Sequence, residues 1–310
     1  MSQAAAAPAE VPRLLAGIFI TLLGVFVFSL SNALAKWLTG GYPVGEILFA
    51  RSVVVLLVLA GFITRDDLRA MRQGGRFGLH AWRGLLSAVE VVCFYWAIVE
   101  LPLAGGTTIY LAAPIYVTAL AAIFLREDVG WRRWCAVLAG FGGVLVALQP
   151  GGLALNIYTL VSLAGSFMYA ASLVITRRLR GTPTTLLVTA QVVPLLLITA
   201  ASAWPIQQPT SLVGGWLLPG WRDAAILGLV GLLSMVGYLC INRGIQMAPA
   251  SAVTPFNYTS IVWASILGYL VFGEVPTAAL LAGATIIVAA GLYIVLREHV
   301  RGVARPPPLV

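Results

Sequence analysis

The chain has 310 residues, of which 60% are hydrophobic and only 10% are charged, and its mean hydropathy is +0.95. A soluble globular domain is about half apolar and a quarter charged, so this chain has too few polar side chains to cover a surface that faces water. The composition excludes a soluble protein and predicts one whose surroundings are a lipid bilayer. The net charge of +8 is explained by basic loops on one side of a membrane, and we expect no nucleic-acid partner.

Ten apolar segments predict transmembrane helices, because about 17 to 25 apolar residues cross the hydrocarbon core of a bilayer as a helix. The fifth segment is the shortest, and no connecting segment is long enough to fold as a separate soluble domain. The ten predicted spans are Leu14–Trp37, Val44–Ile63, Leu79–Val99, Ala104–Leu125, Trp134–Leu148, Ile157–Thr176, Thr184–Trp204, Ala224–Ile241, Ala250–Phe272 and Ala278–Leu296. Residues 1–13 and 297–310 are the predicted N- and C-terminal tails.

Basic residues orient these spans. With the N-terminus inside, all but Lys36, Arg51 and Arg222 of the 19 Lys and Arg residues fall on cytoplasmic connections or tails. Cytoplasmic loops of membrane proteins carry such an excess of Lys and Arg. We therefore expect a multi-pass protein of the bacterial inner membrane with both termini in the cytoplasm.

The chain also matches itself at a fixed spacing. An offset of 147 residues aligns Pro102 with Pro249 and Glu127 with Glu274, and an offset of 141 aligns Ser31 with Ser172. The match divides the chain into residues 14–148 and 156–296, each with five predicted spans. Because five is odd, the second unit enters the membrane from the opposite side. The fold class we predict is an all-α membrane protein of ten helices in two inverted five-helix repeats, an architecture of many alternating-access transporters.

Several short motifs stand in an order that adds information to the repeat. They are Phe28-Ser29 through Lys36, Tyr42-Pro43-Val44 leading to Phe49-Ala50-Arg51, Leu101-Pro102-Leu103-Ala104, Ala113-Pro114, Arg126-Glu127, the run from Gly140 to Val144, and Gly273-Glu274. With this set, the chain resembles the drug/metabolite transporter superfamily in its EamA branch, over about residues 14 to 296. The resemblance implies secondary transport of a small organic molecule, which we take to be amino-acid-, vitamin- or nucleoside-like.

Glu90 is the carboxylate nearest the middle of a predicted span, where an ionisable residue is costly, on the order of 3 kcal/mol on insertion scales. It shares a helix face with Ser87, Phe94 and Ala97, and Arg83 lies two turns earlier on that face. Glu90 is therefore either a titratable or cation-binding group or a structural, hydrogen-bonded carboxyl.

Lys36, Glu46 and Arg51 lie near the outer ends of the first two predicted spans. Lys36 and Glu46 are candidates to pair near the outer surface. Lys36 and Arg51 are either anchors for a substrate carboxylate or phosphate, or cations that extend to the interface and set helix depth.

Polar and aromatic side chains recur on helices of both predicted repeats, where a cavity would present them to a substrate. The alternative is interhelical hydrogen bonding, worth roughly 0.6 kcal/mol per bond on average. The complete predicted substrate-binding set is Asn32, Lys36, Arg51, Glu90, Phe94, Tyr110, Tyr169, Tyr238, Asn242 and Asn257.

Small residues on the fifth and tenth spans, Gly140, Gly143, Gly283 and Gly291, suit close helix packing and make these spans a candidate homodimer surface. No catalytic residue, metal site or cofactor is predicted, because the chain has no HExxH pair and no Gly-rich phosphate loop. A membrane-embedded enzyme and a non-transporting regulatory protein are the alternatives to a transporter.

The predicted topology is testable by cysteine labelling from outside the cell. A cysteine at Gly151 should react with a membrane-impermeant maleimide, and one at Arg301 should react only after the membrane is permeabilised. Equal external labelling at both positions would contradict the assignment.

Overall fold

The computed structural model describes residues 10–62, 77–124, 131–148, 155–179, 182–203, 215–247 and 254–302. All regular secondary structure in these ranges is helical, which confirms the all-α prediction. The helices are α1 (Glu10–Leu38), α2 (Val44–Ala60), α3 (Phe77–Glu100), α4 (Leu103–Tyr110), α5 (Ala113–Phe124), α6 (Trp131–Ala147), α7 (Ile157–Arg178), α8 (Thr184–Ala201), α9 (Trp221–Met247), a 3-10 helix (Thr254–Thr259), α10 (Ser260–Phe272) and α11 (Ala278–Gly302).

Five helical segments are long and apolar enough to cross a membrane: Leu15–Leu38, Phe77–Glu100, Leu103–Leu120, Ile157–Thr176 and Trp221–Ile241. Shorter apolar helices lie at Trp134–Ala147, Thr185–Ala201, Phe256–Phe272 and Ala278–Tyr293. The composition therefore produces several helices that match the thickness of a bilayer.

Two of the predicted spans are interrupted along their length, a detail that the apolar pattern does not predict. In the fourth span, α4 ends at Tyr110 and α5 begins at Ala113, with a turn between them. Pro114 has no N–H to donate to the Tyr110 carbonyl, so a continuous α-helix loses its hydrogen bond at this point. In the ninth span the 3-10 helix precedes α10, which begins at Ser260, 147 residues after Ala113.

Contacts between helices define their relative directions. The side chains of Ser31 and Ser234 lie 2.7 Å apart, and Tyr42 donates to Asp223 at 2.6 Å, so α1 and α9 are antiparallel. Helices α3 and α7 are also antiparallel, since Arg83 bonds Thr176 near one end and Trp96 contacts Tyr158 near the other.

Helices α1 and α3 run in the same direction. Asn32 meets Tyr95, and Lys36, one turn later, meets Leu101. It follows that α1 and α7, the first helices of the two halves, point in opposite directions, and so do α3 and α9. The main contacts also recur when the halves are exchanged, because α1 packs on α9 as α7 packs on α3.

The largest apolar core lies where α1, α2 and α3 pack against α8 and α9. Its buried members include Leu48, Tyr95, Leu195 and Val230. Tyr95 belongs to this core and Phe94 packs against it, so helix packing sets the positions of these two rings of the site.

Helices α6 and α11 form a separate pair that depends on glycine. A Cβ added at Gly283 would lie 2.6 Å from the carbonyl oxygen of Gly143 and 2.7 Å from the amide nitrogen of Ala147. Gly140 and Gly291 instead leave room for side chains, those of Ile115 on α5 and Tyr258 in the 3-10 helix. The predicted close packing is confirmed, and these small residues are used within the chain.

We expect Gly283→Ala to destabilise the protein, because the new methyl group meets backbone atoms that cannot rotate away. Overpacking of this kind costs about 1–3 kcal/mol, which exceeds the gain of less than about 1 kcal/mol from higher helix propensity. Gly142→Ala is the matched control, since a Cβ there meets nothing within 4 Å. Thermal unfolding in detergent should show a lower midpoint for Gly283→Ala and an unchanged or higher midpoint for Gly142→Ala; equal midpoints would contradict this packing.

Candidate functional site

A buried polar network joins α1, α2 and α3. Arg51 Nη1 donates to the Tyr95 hydroxyl at 2.9 Å, and that hydroxyl donates to Asn32 Oδ1 at 2.8 Å. The Arg51 guanidinium also lies over the rings of Phe28 and Tyr95, with its carbon 5.8 and 5.4 Å from their centroids. Tyr95 is 2% exposed and Asn32 is 9% exposed. Arg51 is thus held in an aromatic frame, with most of its N–H donors unused by the described residues.

Glu90 lies on α3 and is also 9% exposed. Its backbone carbonyl accepts a hydrogen bond from the Tyr110 hydroxyl at 2.9 Å, which joins α3 to α4. The carboxylate itself makes no hydrogen bond to any part of the chain that the structure describes. Arg51 and Arg83 are the cations within electrostatic range of it, and neither forms a direct ion pair with it.

Arg83, two turns from Glu90 on α3, is bonded to the other half of the chain. Its Nε donates to Thr176 Oγ1 at 3.0 Å, and its Nη1 donates to the Leu187 carbonyl at 2.5 Å. The side chain is 4% exposed. Arg83 therefore fixes α3 against α7 and α8 while it contributes positive charge near Glu90.

Aromatic rings extend this cluster across both halves. Phe94 contacts Tyr95 edge to face at a centroid distance of 5.5 Å and Tyr110 at 5.0 Å, and Tyr110 lies 6.3 Å from Tyr169. Tyr238, on α9, is an electrostatic neighbour of Tyr169. Tyr169 belongs to α7, so the rings form one continuous aromatic row that begins in the first half and ends in the second.

The structure brings together most of the substrate-binding set that the sequence predicts. The seven residues that meet in this cluster are Asn32, Arg51, Glu90, Phe94, Tyr110, Tyr169 and Tyr238. Asn257 lies half-buried in the 3-10 helix before α10, and no contact given for it reaches the cluster. Asn242 falls on α9, and its side chain lies outside the described residues.

Lys36 lies one turn beyond Asn32 and has a different set of partners. Its Nζ donates to Glu274 Oε1 at 2.5 Å and to the Leu101 carbonyl at 2.7 Å, and it lies 5.1 Å from the Phe272 ring centroid. Glu274 Oε2 accepts the Leu103 amide at 2.8 Å. We call Lys36, Glu274 and the Leu101 and Leu103 backbone groups the end clamp. It joins the end of α1 and the α3–α4 connection to the segment between α10 and α11.

The predicted pairing of Lys36 with Glu46 was wrong. Glu46 Oε2 instead accepts the Leu217 amide at 3.1 Å, before α9. Gly273 adopts a left-handed conformation with φ 69°, which ends α10 and turns Glu274 back toward α1. That turn brings the Glu274 carboxylate to Lys36 from a distant part of the chain. The spacing of residues along the first two spans therefore could not predict this partner.

Tyr95 is a central residue of the cluster that the predicted set lacked. It is the hub of the central network, since its hydroxyl bonds both Arg51 and Asn32. A tyrosine in an apolar span gives little signal on its own. The repeat did contain a signal for Tyr95, because the offset of 147 residues pairs it with Asn242, which belongs to the predicted set.

These features define a multi-pass helical membrane protein with a buried, charged and aromatic site between its two halves. The model of the EamA-like transporter family matches the chain twice, over residues 15–149 and 156–297. The chain belongs to the EamA-like transporter family.

Curated relatives match over nearly their full length. The chain is 28% identical to a riboflavin transporter of Rhizobium johnstonii, covering 96% of each protein. It is 25% identical to an S-adenosylmethionine uptake transporter of Rickettsia bellii, over 91% of this chain and 94% of that protein. It is 28% identical to a pseudopaline exporter of Pseudomonas aeruginosa, over 88% and 94%.

A solved crystal structure shares the fold. It superposes with a TM-score of 0.58 at 17% sequence identity and covers 90% of this chain and 96% of that chain. At this identity the likeness concerns the fold alone.

The end clamp is testable by a double-mutant cycle. Lys36→Met leaves the largely buried Glu274 carboxylate without its counter-charge. Breaking a buried ion pair in this way lowers the free energy of unfolding by about 3–5 kcal/mol. Because the Glu274 side chain is 21% exposed, we expect a loss at the lower end, about 3 kcal/mol. Glu274→Gln leaves the ammonium without its counter-charge. The double variant should be more stable than the sum of the two single losses, measured by thermal unfolding, because it leaves no unpaired charge. Strictly additive losses would show that the two side chains do not interact.

Proposed function

We propose that this protein is a secondary transporter that moves a small organic metabolite across the bacterial inner membrane by alternating access. The observation that carries the proposal is the cluster of the half-buried Arg51 with the buried Glu90 and Tyr95 between the two halves of the chain. Charged groups at membrane depth are costly and mark substrate or ion pathways.

The proposal includes ten spans in two inverted repeats. The opposite directions of α1 and α7, and of α3 and α9, support it. The recurrence of helix contacts when the halves are exchanged also supports it. A third argument is that α5 and α10 begin at positions that are 147 residues apart, the offset of the repeat. In such folds the substrate lies at the interface of the repeats, near the middle of the membrane. The cluster described above is consistent with that position, because it joins residues of α1 to α4 to Tyr169 on α7.

The end clamp supports the alternation itself. It joins the two halves at the end of the bundle where α1 finishes. Lys36 follows Asn32 by one turn of α1, so the clamp lies closer to that end than the cluster does. With both termini in the cytoplasm, as we propose, this is the external end. The structure then corresponds to a state closed to the outside, and opening separates Lys36 from Glu274.

The relatives' names concern several kinds of solute. Riboflavin, S-adenosylmethionine and pseudopaline stand in their names, and both uptake and export occur among them. This range supports an amino-acid-, vitamin- or nucleoside-like substrate for the present chain. We favour transport over a membrane-embedded enzyme because these relatives are named as transporters. The homodimer through α6 and α11 remains a proposal.

Flux through reconstituted protein tests this function. Proteoliposomes should accumulate at least one radiolabelled member of a panel of amino acids, riboflavin, S-adenosylmethionine and uridine. Arg51→Gln should reduce that flux at least tenfold, because it removes the cation at the centre of the site while keeping amide donors. Arg222→Gln is the matched control, since Arg222 is exposed against Trp221 at the start of α9. Equal flux in the two variants, or flux no greater than that of empty vesicles for the whole panel, would contradict the proposal.

A further inference from the structure

We propose that the solute is a zwitterion of the amino-acid type, with its carboxylate on Arg51, its ammonium on Glu90 and an aromatic or planar body against Phe94 and Tyr110. This inference rests on the proposed function and names the substrate class of the same site. It starts from two opposite charges that lie in one buried cluster and are not paired with each other.

Arg51 has donors to spare. A guanidinium carries five N–H groups in a planar fork, and one hydrogen bond, to Tyr95, is made within the described ranges. The aromatic rings of Phe28 and Tyr95 accompany this group. Contacts with ring faces occupy the flat sides of a guanidinium and leave its edges for hydrogen bonding. The group that suits such an edge is a carboxylate, which accepts two parallel N–H bonds.

Glu90 has acceptors to spare. When ionised, a carboxylate accepts hydrogen bonds at about four positions and donates none. In the described part of the chain no donor reaches these oxygens, although the side chain is 91% buried, being 9% exposed. A buried carboxylate without a partner is expensive. An ammonium group, with three N–H donors and one positive charge, supplies what is missing.

The two nearest cations do not fill that role. Arg83 is engaged by Thr176 and the Leu187 carbonyl, and Arg51 is engaged by Tyr95. Both interact with Glu90 at a distance, without the close contact of an ion pair. The bonds that hold each arginine in place therefore keep the charges apart. No donor within the described ranges is left for Glu90, and a ligand with an ammonium group would supply one.

Only one charge pattern satisfies both groups together. A simple organic anion would pair with Arg51 and leave Glu90 unpaired, and a simple cation would do the reverse. A solute that carries both a carboxylate and an ammonium pairs with both. The edge-to-face rings of Phe94 and Tyr110, centroids 5.0 Å apart, with Tyr169 beyond them, offer an aromatic surface to the rest of the molecule.

Three probes that differ in one charge each test the inference. Phenylalanine has both groups, phenylalanine methyl ester lacks the carboxylate, and N-acetylphenylalanine lacks the ammonium. Thermal stabilisation of the protein in nanodiscs should give phenylalanine at least tenfold tighter binding than either derivative. Arg51→Gln should abolish the preference over the ester, and Glu90→Gln should abolish the preference over the N-acetyl compound. Arg222→Gln should keep both preferences.

The outcomes separate this inference from the proposed function. Equal or tighter binding of either derivative by the unaltered protein overturns the inference. If Arg51→Gln does not fold, Glu90→Gln carries the test, and an unchanged preference over the N-acetyl compound in that variant also overturns the inference. If uridine, which is uncharged, is transported and phenylalanine does not stabilise the protein, the zwitterion inference is wrong and the proposed transport function stands. If phenylalanine binds with the predicted selectivity but no solute is transported, the binding inference stands and the proposed transport function is wrong.

Discussion

Lipid offers no hydrogen bonds, so a charged side chain inside the bundle is satisfied by the protein or by what the protein binds. This constraint accounts for the two polar networks of the molecule. In the end clamp, Lys36 and Glu274 satisfy each other, and the Leu101 carbonyl and Leu103 amide take up further bonding capacity. In the central cluster, Tyr95 holds Arg51 and Tyr110 bonds the Glu90 backbone, but in the described part of the chain the guanidinium keeps unused donors and the Glu90 carboxylate keeps unused acceptors.

The difference between the two networks has a functional meaning. A satisfied pair that joins elements of the two halves stabilises one arrangement of those halves. An unsatisfied pair of charges enclosed by aromatic rings gains free energy when a ligand enters. In our account, the clamp sets which end of the bundle is closed, and the cluster sets what is carried. The α6–α11 pair, with its glycine contacts, belongs to neither network and acts as packing support.

The sequence predicts those features that depend on local pattern. Apolar runs predict the helices, and a repeat of 147 residues predicts which helices correspond. Because ionisable residues in spans are rare, Arg51 and Glu90 could be singled out before their surroundings were known. The helix breaks at Leu111 and before Ser260 were missed, since a proline inside an apolar run is compatible with either a kink or a new helix. The partner of Lys36 depends on a left-handed turn at Gly273, and Tyr95 owes its role to neighbours on two other helices. Such contacts are products of tertiary packing and have no local signature.

The central claim is that the end clamp opens and closes as the two halves alternate around the cluster. The most direct measurement is a distance distribution between spin labels at Trp37 and Val275, which are both exposed beside the clamp. We expect two populations, one at a short distance with the clamp closed and one at a longer distance with the clamp open. The fraction at the longer distance should grow in Lys36→Met. The ratio of the two populations should change when a transported solute is added. A single distance, unaffected by the substitution and by every solute that the protein transports, would contradict it.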